Sequence, residues 1–334
     1  MDNIQAAIPV TLLTGFLGSG KTTLLNRLLA DPRGVRAAVL INEFGEVGLD
    51  HLLAKNVEGT KVVIKNGCIC CTVHESLRDT LKGLLNARDK GEIPAFDRLL
   101  IETSGASDPL PVMMTLRSDP MFQHHFRMEN IITTVDALNG LQQLADRATA
   151  VRQAAMADYL VITKTALQNH AAALQNLREQ LAAIAPEAQI ISDADNRHPW
   201  DVLMSPRKTL ATAAGQGGKS VFRAVSLHQA GTGINSFALA FEQTPDWSRF
   251  AVWLSLLMHR HGNHILRIKG LLKVAGSDQP MLLNAVQNFI HPPEHLPEWP
   301  DDDRRSRLVF ITDGIDPEQI KRALEKVLQL EKPA

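Results

Sequence analysis

The chain has 334 residues, 45% hydrophobic, with 35 lysines and arginines against 36 aspartates and glutamates and a formal charge of −1. That length favours two domains over one, and the near-neutral balance, without a basic stripe, argues against nucleic acid as a partner. No apolar run approaches the roughly 18 residues of a membrane span, and residues 1–9 carry an aspartate and no basic residue, so neither a membrane partner nor a secretory signal is expected.

In chain order, β-branched apolar runs at 10–14, 37–41, 61–64, 98–102, 131–135, 159–163 and 189–191 predict strands. Helical patterns at 22–30, 76–87 and 171–185 lie between several of them. The strand runs are mostly unalternated, as in strands covered on both faces. Strand–helix repetition of this kind predicts an α/β fold with a mainly parallel sheet. Residues 205–220 (SPRKTLATAAGQGGKS) are small and polar and read as a linker. Beyond them, strands are predicted at 221–227, 237–241, 264–274 and 308–312, and helices at 246–261 and 317–328. The expected division is an α/β domain over 1–204, the linker, and a smaller α+β domain over 221–330.

Gly15-Phe16-Leu17-Gly18-Ser19-Gly20-Lys21-Thr22 follows a predicted strand and opens a predicted helix, the context a phosphate-binding P-loop requires. Glycines let successive backbone N–H groups converge on phosphates, and the helix N-terminus adds positive potential. Gly15, Gly18, Ser19, Gly20, Lys21, Thr22 and Thr23 are therefore expected to hold a nucleotide. Lys21 is expected to reach the β- and γ-phosphates, and the Thr22 hydroxyl to ligate Mg2+. Such a cation needs an acidic residue at the end of a neighbouring strand, and Glu102 in Leu99-Leu100-Ile101-Glu102-Thr103-Ser104-Gly105 supplies it through a bound water. The Gly105 N–H is placed to contact the γ-phosphate.

The three cysteines, Cys68, Cys70 and Cys71, lie within one tetrapeptide. That spacing cannot build a disulfide framework and suits thiols kept reduced in a cytosol. In an extended segment residues two apart face the same way, so Cys68 and Cys70 can share one ion, and a bend at Gly67 could bring Cys71 to it. Thiolates select zinc, copper(I) or iron–sulfur chemistry, with tetrahedral zinc the default. Three thiolates leave one position open, which suits a metal to be handed over. Three buried, inert cysteines are the bland alternative.

The P-loop, Asn42-Glu43-Phe44-Gly45-Glu46, Cys68-Ile69-Cys70-Cys71 and Glu102-Thr103-Ser104-Gly105 together resemble the CobW-type metallochaperone GTPases, relatives of the urease and hydrogenase nickel-insertion GTPases. The resemblance extends to Arg267-Ile268-Lys269-Gly270 and to Ser306-Arg307-Leu308-Val309-Phe310-Ile311. It implies a cytoplasmic GTPase whose hydrolysis is coupled to binding Zn2+, or Co2+, and delivering it to a client metalloprotein. A homodimer that depends on nucleotide or metal is compatible with it. It also implies that the segment carrying Glu43 and Glu46 is a switch, with Glu46 a metal ligand beside the thiolates and Glu43 near the γ-phosphate. The competing readings are a P-loop kinase of a small metabolite, which leaves the thiols unexplained, and a nucleotide-bound metal sensor that does not hydrolyse.

Two features depart from the pattern. Where such proteins carry Asn or Thr, Lys, any residue and Asp, this chain has Thr163-Lys164-Thr165-Ala166. Thr163 and Lys164 are expected at the base, but Ala166 cannot accept hydrogen bonds from guanine. Weakened discrimination between GTP and ATP is the expectation, by roughly tenfold or more. The linker, in turn, has no histidine, so metal storage is unsupported. His259, His261 and His264 lie close together, and His291 and His295 flank a Pro-Pro turn; either group could form a weak second metal site, with surface histidines the favoured reading, and Arg267 and Lys269 read as one basic strand face, exposed or meeting a client.

Overall fold

A computed structural model describes residues 7–32, 36–42, 62–66, 73–195, 200–201, 223–225, 234–287 and 289–329. The chain divides into two compact units, Met1–Leu177 with Gln189–Ser205 and Arg178–Ala188 with Pro206–Ala334. The linker expected at 205–220 lies outside the described residues.

The first unit is built on strands β1 (Ile8–Gly15), β2 (Ala37–Asn42), β3 (Val62–Asn66), β4 (Arg98–Glu102), β5 (Phe126–Asp136), β6 (Tyr159–Thr163) and β7 (Gln189–Ser192). Their order is β3-β2-β4-β1-β5-β6-β7, and every pair is parallel. Parallel neighbours require a crossover, and the crossovers carry α1 (Lys21–Ala30), α2 (Val73–Asp89), α3 (Leu110–Ser118), α4 (Pro120–His125), α5 (Gly140–Asp146), α6 (Ala148–Ala155) and α7 (Ala171–Ile184). The unalternated runs are explained by this burial: all five residues of β4 and all five of β6 are buried. Leu24, Leu25, Leu28 and Leu29 form one face of α1 and pack on Val39, Leu100, Ile132 and Val161 of four strands.

All seven predicted strands are present. β5 begins five residues before its predicted start of 131, across the polar stretch Arg127-Met128-Glu129-Asn130, because pairing with β1 carries it on through a register shift. Helices α3 to α6 were not predicted. Each is six to nine residues long, too short for an amphipathic repeat to declare itself. α4 is instead fixed by its ends, with Asp119 accepting from the Met121 N–H at 3.0 Å and Pro120 opening the first turn.

The second unit is antiparallel. Its strands β8 (Arg223–Val225), β9 (Ile234–Phe241), β10 (Ile265–Leu272), β11 (Met281–Val286), β12 (Phe289–Ile290) and β14 (Ser306–Asp313) run in the order β12-β11-β10-β14-β9-β8, and β13 (Glu294–His295) pairs with β11. Helices α8 (Trp247–His261) and α9 (Pro317–Gln329) cover one face. Phe250, Leu254, Met258, Ile320 and Leu324 pack there on Leu239, Ile268, Leu272 and Phe310. β11 was not predicted, since Asn284 interrupts its apolar run.

One sequence expectation is corrected. Arg267 and Lys269 are only 3% and 5% exposed, because the face of β10 that they share with Leu271 is covered, Leu271 packing there with Leu282, Trp299 and Val309. They do not form an exposed basic face. Among the described residues, no helix is long and apolar enough to cross a membrane.

Candidate nucleotide site

In a parallel sheet all strands end on one edge, and ligands bind outside that edge. Register pairs Leu13 with Glu102, Glu102 with Ile41, and Asn42 with Asn66. The strand ends that precede the P-loop, Glu102, the Glu43–Glu46 segment and the thiols are therefore neighbours along one edge.

The P-loop leaves β1 at Gly15, whose φ is +139°. A Cβ there would lie 2.4 Å from the Thr134 carbonyl oxygen, so only glycine fits. The loop is fastened from the next two strands on that side, β5 and β6. Ser19 Oγ lies 2.7 Å from Thr134 Oγ1 of β5, and Thr163 Oγ1 of β6 donates to the Ser19 carbonyl at 2.7 Å. α1 then opens at Lys21, and its first turn, which includes Thr22 and Thr23, presents N–H groups without intrahelical partners toward the loop. Lys21 Nζ donates to the Gly15 carbonyl at 2.9 Å and the Phe16 carbonyl at 3.3 Å. The loop's own backbone thus holds the ammonium at the phosphate site.

Thr22 Oγ1 donates to Glu102 Oε1 at 2.7 Å, and Glu102 is 5% exposed. Two hard oxygen donors meet here at the helix N-terminus, and this donor set fits Mg2+, held with few protein ligands beside phosphate oxygens. Gly105 packs against the loop so closely that a Cβ would lie 2.7 Å from the Leu17 backbone nitrogen. The segment carrying Gly105 is held by fully buried Gln153 of α6, whose amide donates to the Gly105 carbonyl at 3.3 Å and the Ser107 carbonyl at 2.9 Å. Thr103 Oγ1 donates to Thr14 Oγ1 at 2.9 Å, tying the same segment to β1.

On the far side of the loop, Lys164 has φ 59° and its ammonium meets Asp136 Oδ2 at 2.7 Å. Asp136 is 1% exposed and also accepts from Asn139 Nδ2 at 3.0 Å and the Leu138 N–H at 2.8 Å. Burial pushes its carboxyl upward, but the bonds from Lys164, Asn139 and Leu138 outweigh that and hold it below the usual carboxylate range.

The structure thus brings together Gly15, Gly18, Ser19, Gly20, Lys21, Thr22, Thr23, Glu102, Gly105, Thr163 and Lys164. Glu43, Glu46, Cys68, Cys70 and Cys71 lie outside the described residues. Among the described residues, no group of three or more His, Cys, Asp or Glu side chains is gathered as a metal site. Sequence reasoning missed Thr134, Asp136 and Gln153. The first two end the apolar strand Ile131-Ile132-Thr133-Thr134-Val135-Asp136, the same signal that marked Glu102. Nothing in the sequence distinguishes Gln153 from an exposed helical glutamine.

A P-loop pinned between parallel strands, with a threonine–carboxylate pair at the helix start, defines a nucleoside-triphosphate-binding protein. Residues 9–192 match the CobW/HypB/UreG nucleotide-binding domain, and residues 234–328 match the cobalamin synthesis protein CobW C-terminal domain. The chain belongs to the CobW/HypB/UreG family. It is 32% identical over 316 residues to the zinc chaperone YjiA of Escherichia coli, spanning 95% of this chain and 97% of that protein. It is 29% identical to the zinc chaperone CobW of Pseudomonas aeruginosa, across 97% of this chain and 92% of the relative. The crystal structure of Zn(II)-bound YjiA GTPase from E. coli superposes with a TM-score of 0.75 at 26% identity, covering 97% of this chain and 99% of that one.

Proposed function

We propose that this chain is a GTPase that couples hydrolysis to binding a transition metal, zinc before cobalt, and delivering it to a client metalloprotein. One observation carries the coupling: Asn42 and Asn66 are register partners, and Ile41 is the partner of Glu102. With neighbouring strands about 4.8 Å apart, the end of β3 at Asn66 lies about 10 Å from Glu102, and the end of β2 at Asn42 lies between them. A cation on Cys68, Cys70, Cys71 and Glu46 would thus share one short segment with the triphosphate.

In this reading the backbone N–H groups of Gly18, Gly20 and Lys21 bind the phosphates, with Ser19 pinned beneath and Thr23 beside them. Lys21 neutralises charge on the β- and γ-phosphate oxygens, and the Gly105 N–H orients the γ-phosphate. Bound through Thr22 and a water on Glu102, Mg2+ would supply charge neutralisation between the phosphates. Glu43 positions the attacking water, giving GDP and phosphate. Loss of the γ-phosphate relaxes the Glu43–Glu46 segment and withdraws Glu46 from the cargo metal. Thr163 and Lys164 hold the base side. The division at 1–204, 205–220 and 221–330 assigns these steps to the first domain. Three reduced thiols fit a cytoplasmic location, and nucleotide- or metal-dependent dimerisation is part of the same reading.

Coupling is tested by measuring zinc affinity with GTP, with GDP and without nucleotide, alongside phosphate release with and without zinc. Affinity higher with GTP than with GDP, abolished by Cys70→Ala, is expected. Identical affinity in all three states sinks the delivery reading. Zinc affinity that changes with nucleotide in the absence of phosphate release would leave the sensor, and a phosphorylated small acceptor would reveal the kinase.

A further inference from the structure

The base-reading segment has alanine at position 166, yet the structure brings a carboxylate to it from elsewhere. β6 ends at Thr163, Lys164 adopts the left-handed conformation at φ 59° and ψ 27°, and Thr165–Leu167 makes one 3-10 turn. That rare conformation for a lysine turns successive backbone N–H groups of the segment toward the loop that follows β7. The first residue of that loop is Asp193, whose own N–H donates to the Ile162 carbonyl at 2.9 Å. Asp193 Oδ2 accepts from the Lys164 N–H at 2.6 Å, and Oδ1 accepts from the Thr165 N–H at 3.3 Å and from the Thr165 hydroxyl. Asp193 is half-buried, so it reaches the segment without being sealed from solvent.

Building on the reading of the chain as a guanine-nucleotide hydrolase, we propose that Asp193 is its base-specificity carboxylate, displaced from position 166 to the loop after β7. The chemistry favours guanine. Its N1–H and 2-amino group form a row of two donors, which two carboxylate oxygens match. Adenine presents an acceptor at N1 and no 2-amino group, so a fixed carboxylate faces a lone pair. An ionised carboxylate offers about four acceptor positions, and the Thr165 hydroxyl can rotate off Oδ1 when a base donates to it. The backbone bonds from Lys164 and Thr165 keep the group aimed while this happens. Lys164 is itself fixed by its ammonium, which is tied to Asp136. Adenine is disfavoured because its N1 lone pair would face a carboxylate that the Lys164 and Thr165 N–H groups hold in place.

A carboxylate that only braced the loop would be indifferent to which base arrives, and this separates the two roles. Equilibrium binding of GTP, ATP, XTP and ITP, each with Mg2+, is measured on the native chain and on Asp193→Asn. The native chain is expected to favour GTP over ATP by about a hundredfold or more. ITP, which lacks the 2-amino group, should bind about tenfold more weakly than GTP. In D193N the amide offers one acceptor and one donor, which matches the N1–H and 2-carbonyl of xanthine, so preference should move from GTP to XTP. In Asp193→Ala combined with Ala166→Asp, guanine preference should return. Native GTP and ATP affinities within tenfold of each other, or equal GTP and ITP affinities, overturn the proposal even if no variant folds. So does D193N weakening GTP, ATP and XTP alike. Lys21→Ala is the control that lowers hydrolysis of every nucleotide, and loss of turnover in the native chain with GTP preference intact would remove the GTPase reading while leaving Asp193 in place.

Discussion

The two sheets use charge in opposite ways. In the parallel unit the polar groups at the site stand where strands end: Thr14 near the end of β1, Glu102 closing β4 with Thr103 after it, Asp136 closing β5, Thr163 closing β6 and Asp193 just after β7. In the antiparallel unit the buried charges sit within strands, Arg267 and Lys269 in β10 and Arg307 in β14. Arg307 of β14 is 6% exposed and is held in bidentate fashion by Asp301 at 2.8 Å to each oxygen. The contrast follows from connectivity. Parallel strands all end on one edge and feed loops that converge there, whereas antiparallel strands end alternately on two edges and gather nothing. A charge at the end of a parallel strand is therefore read as chemistry, and Arg307 inside an antiparallel strand as a structural ion pair.

Breaking one example of each kind should give effects of different type. Lys21→Ala removes the cation on the phosphates and should slow hydrolysis about a thousandfold, near 4 kcal/mol of transition-state stabilisation, with an unchanged melting temperature. Single-turnover phosphate release checks it, and a loss under tenfold would break the comparison at its strong end. Asp301→Ala should do the reverse. It leaves Arg307 buried without its bidentate partner, although Asp303 remains near at 3.6 Å, and should cost about 2–3 kcal/mol of stability in urea unfolding. Nucleotide affinity should be untouched. A changed nucleotide affinity in D301A would show that the second unit's charges are not merely structural.

The same contrast explains what the sequence disclosed. All seven parallel strands were legible because double-sided burial makes their runs apolar throughout, and the P-loop because its glycines are dictated by contacts such as that of Gly15 with Thr134. Thr22 and Glu102 were legible because a strand end is a marked position. Asp193 was not, since its proposed role depends on the turn at Lys164 and not on its own neighbours. Gln153 was not, because a buried amide on an eight-residue helix leaves no periodic trace. Arg267 and Lys269 were misplaced on the surface because alternation in β10 cannot say what covers a strand's second face.

Two smaller effects sharpen the comparison within the parallel unit. Thr22→Ala removes one of the two oxygens proposed for Mg2+ while leaving the loop's N–H groups. The magnesium concentration for half-maximal hydrolysis should rise about tenfold, near 1.4 kcal/mol, with little change at saturating Mg2+. An unchanged magnesium requirement would leave Glu102 to act without Thr22.

Asp136 gives the smallest effect and the most particular signature. Its carboxyl is held below the ordinary value of 3.8, despite burial, by Lys164, Asn139 and the Leu138 N–H. A carboxylate depressed in the folded state adds stability that is fully present above its unfolded value and is lost as pH falls through its folded one. At pH 7, Asp136→Asn should therefore lower stability by about 1 kcal/mol, a modest figure because Lys164 remains 35% exposed and screened by water. As pH falls past the ordinary carboxylate value and through the lower folded one, the native carboxyl takes up its proton, and the gap between the two proteins should close. Urea unfolding of both proteins at pH 7, 5 and 3 measures it. A gap that stays constant with pH would mean that Asp136 contributes through shape and neutral hydrogen bonds alone, and the ammonium of Lys164 would then owe its position to the Asp193-held backbone instead of to its ion pair.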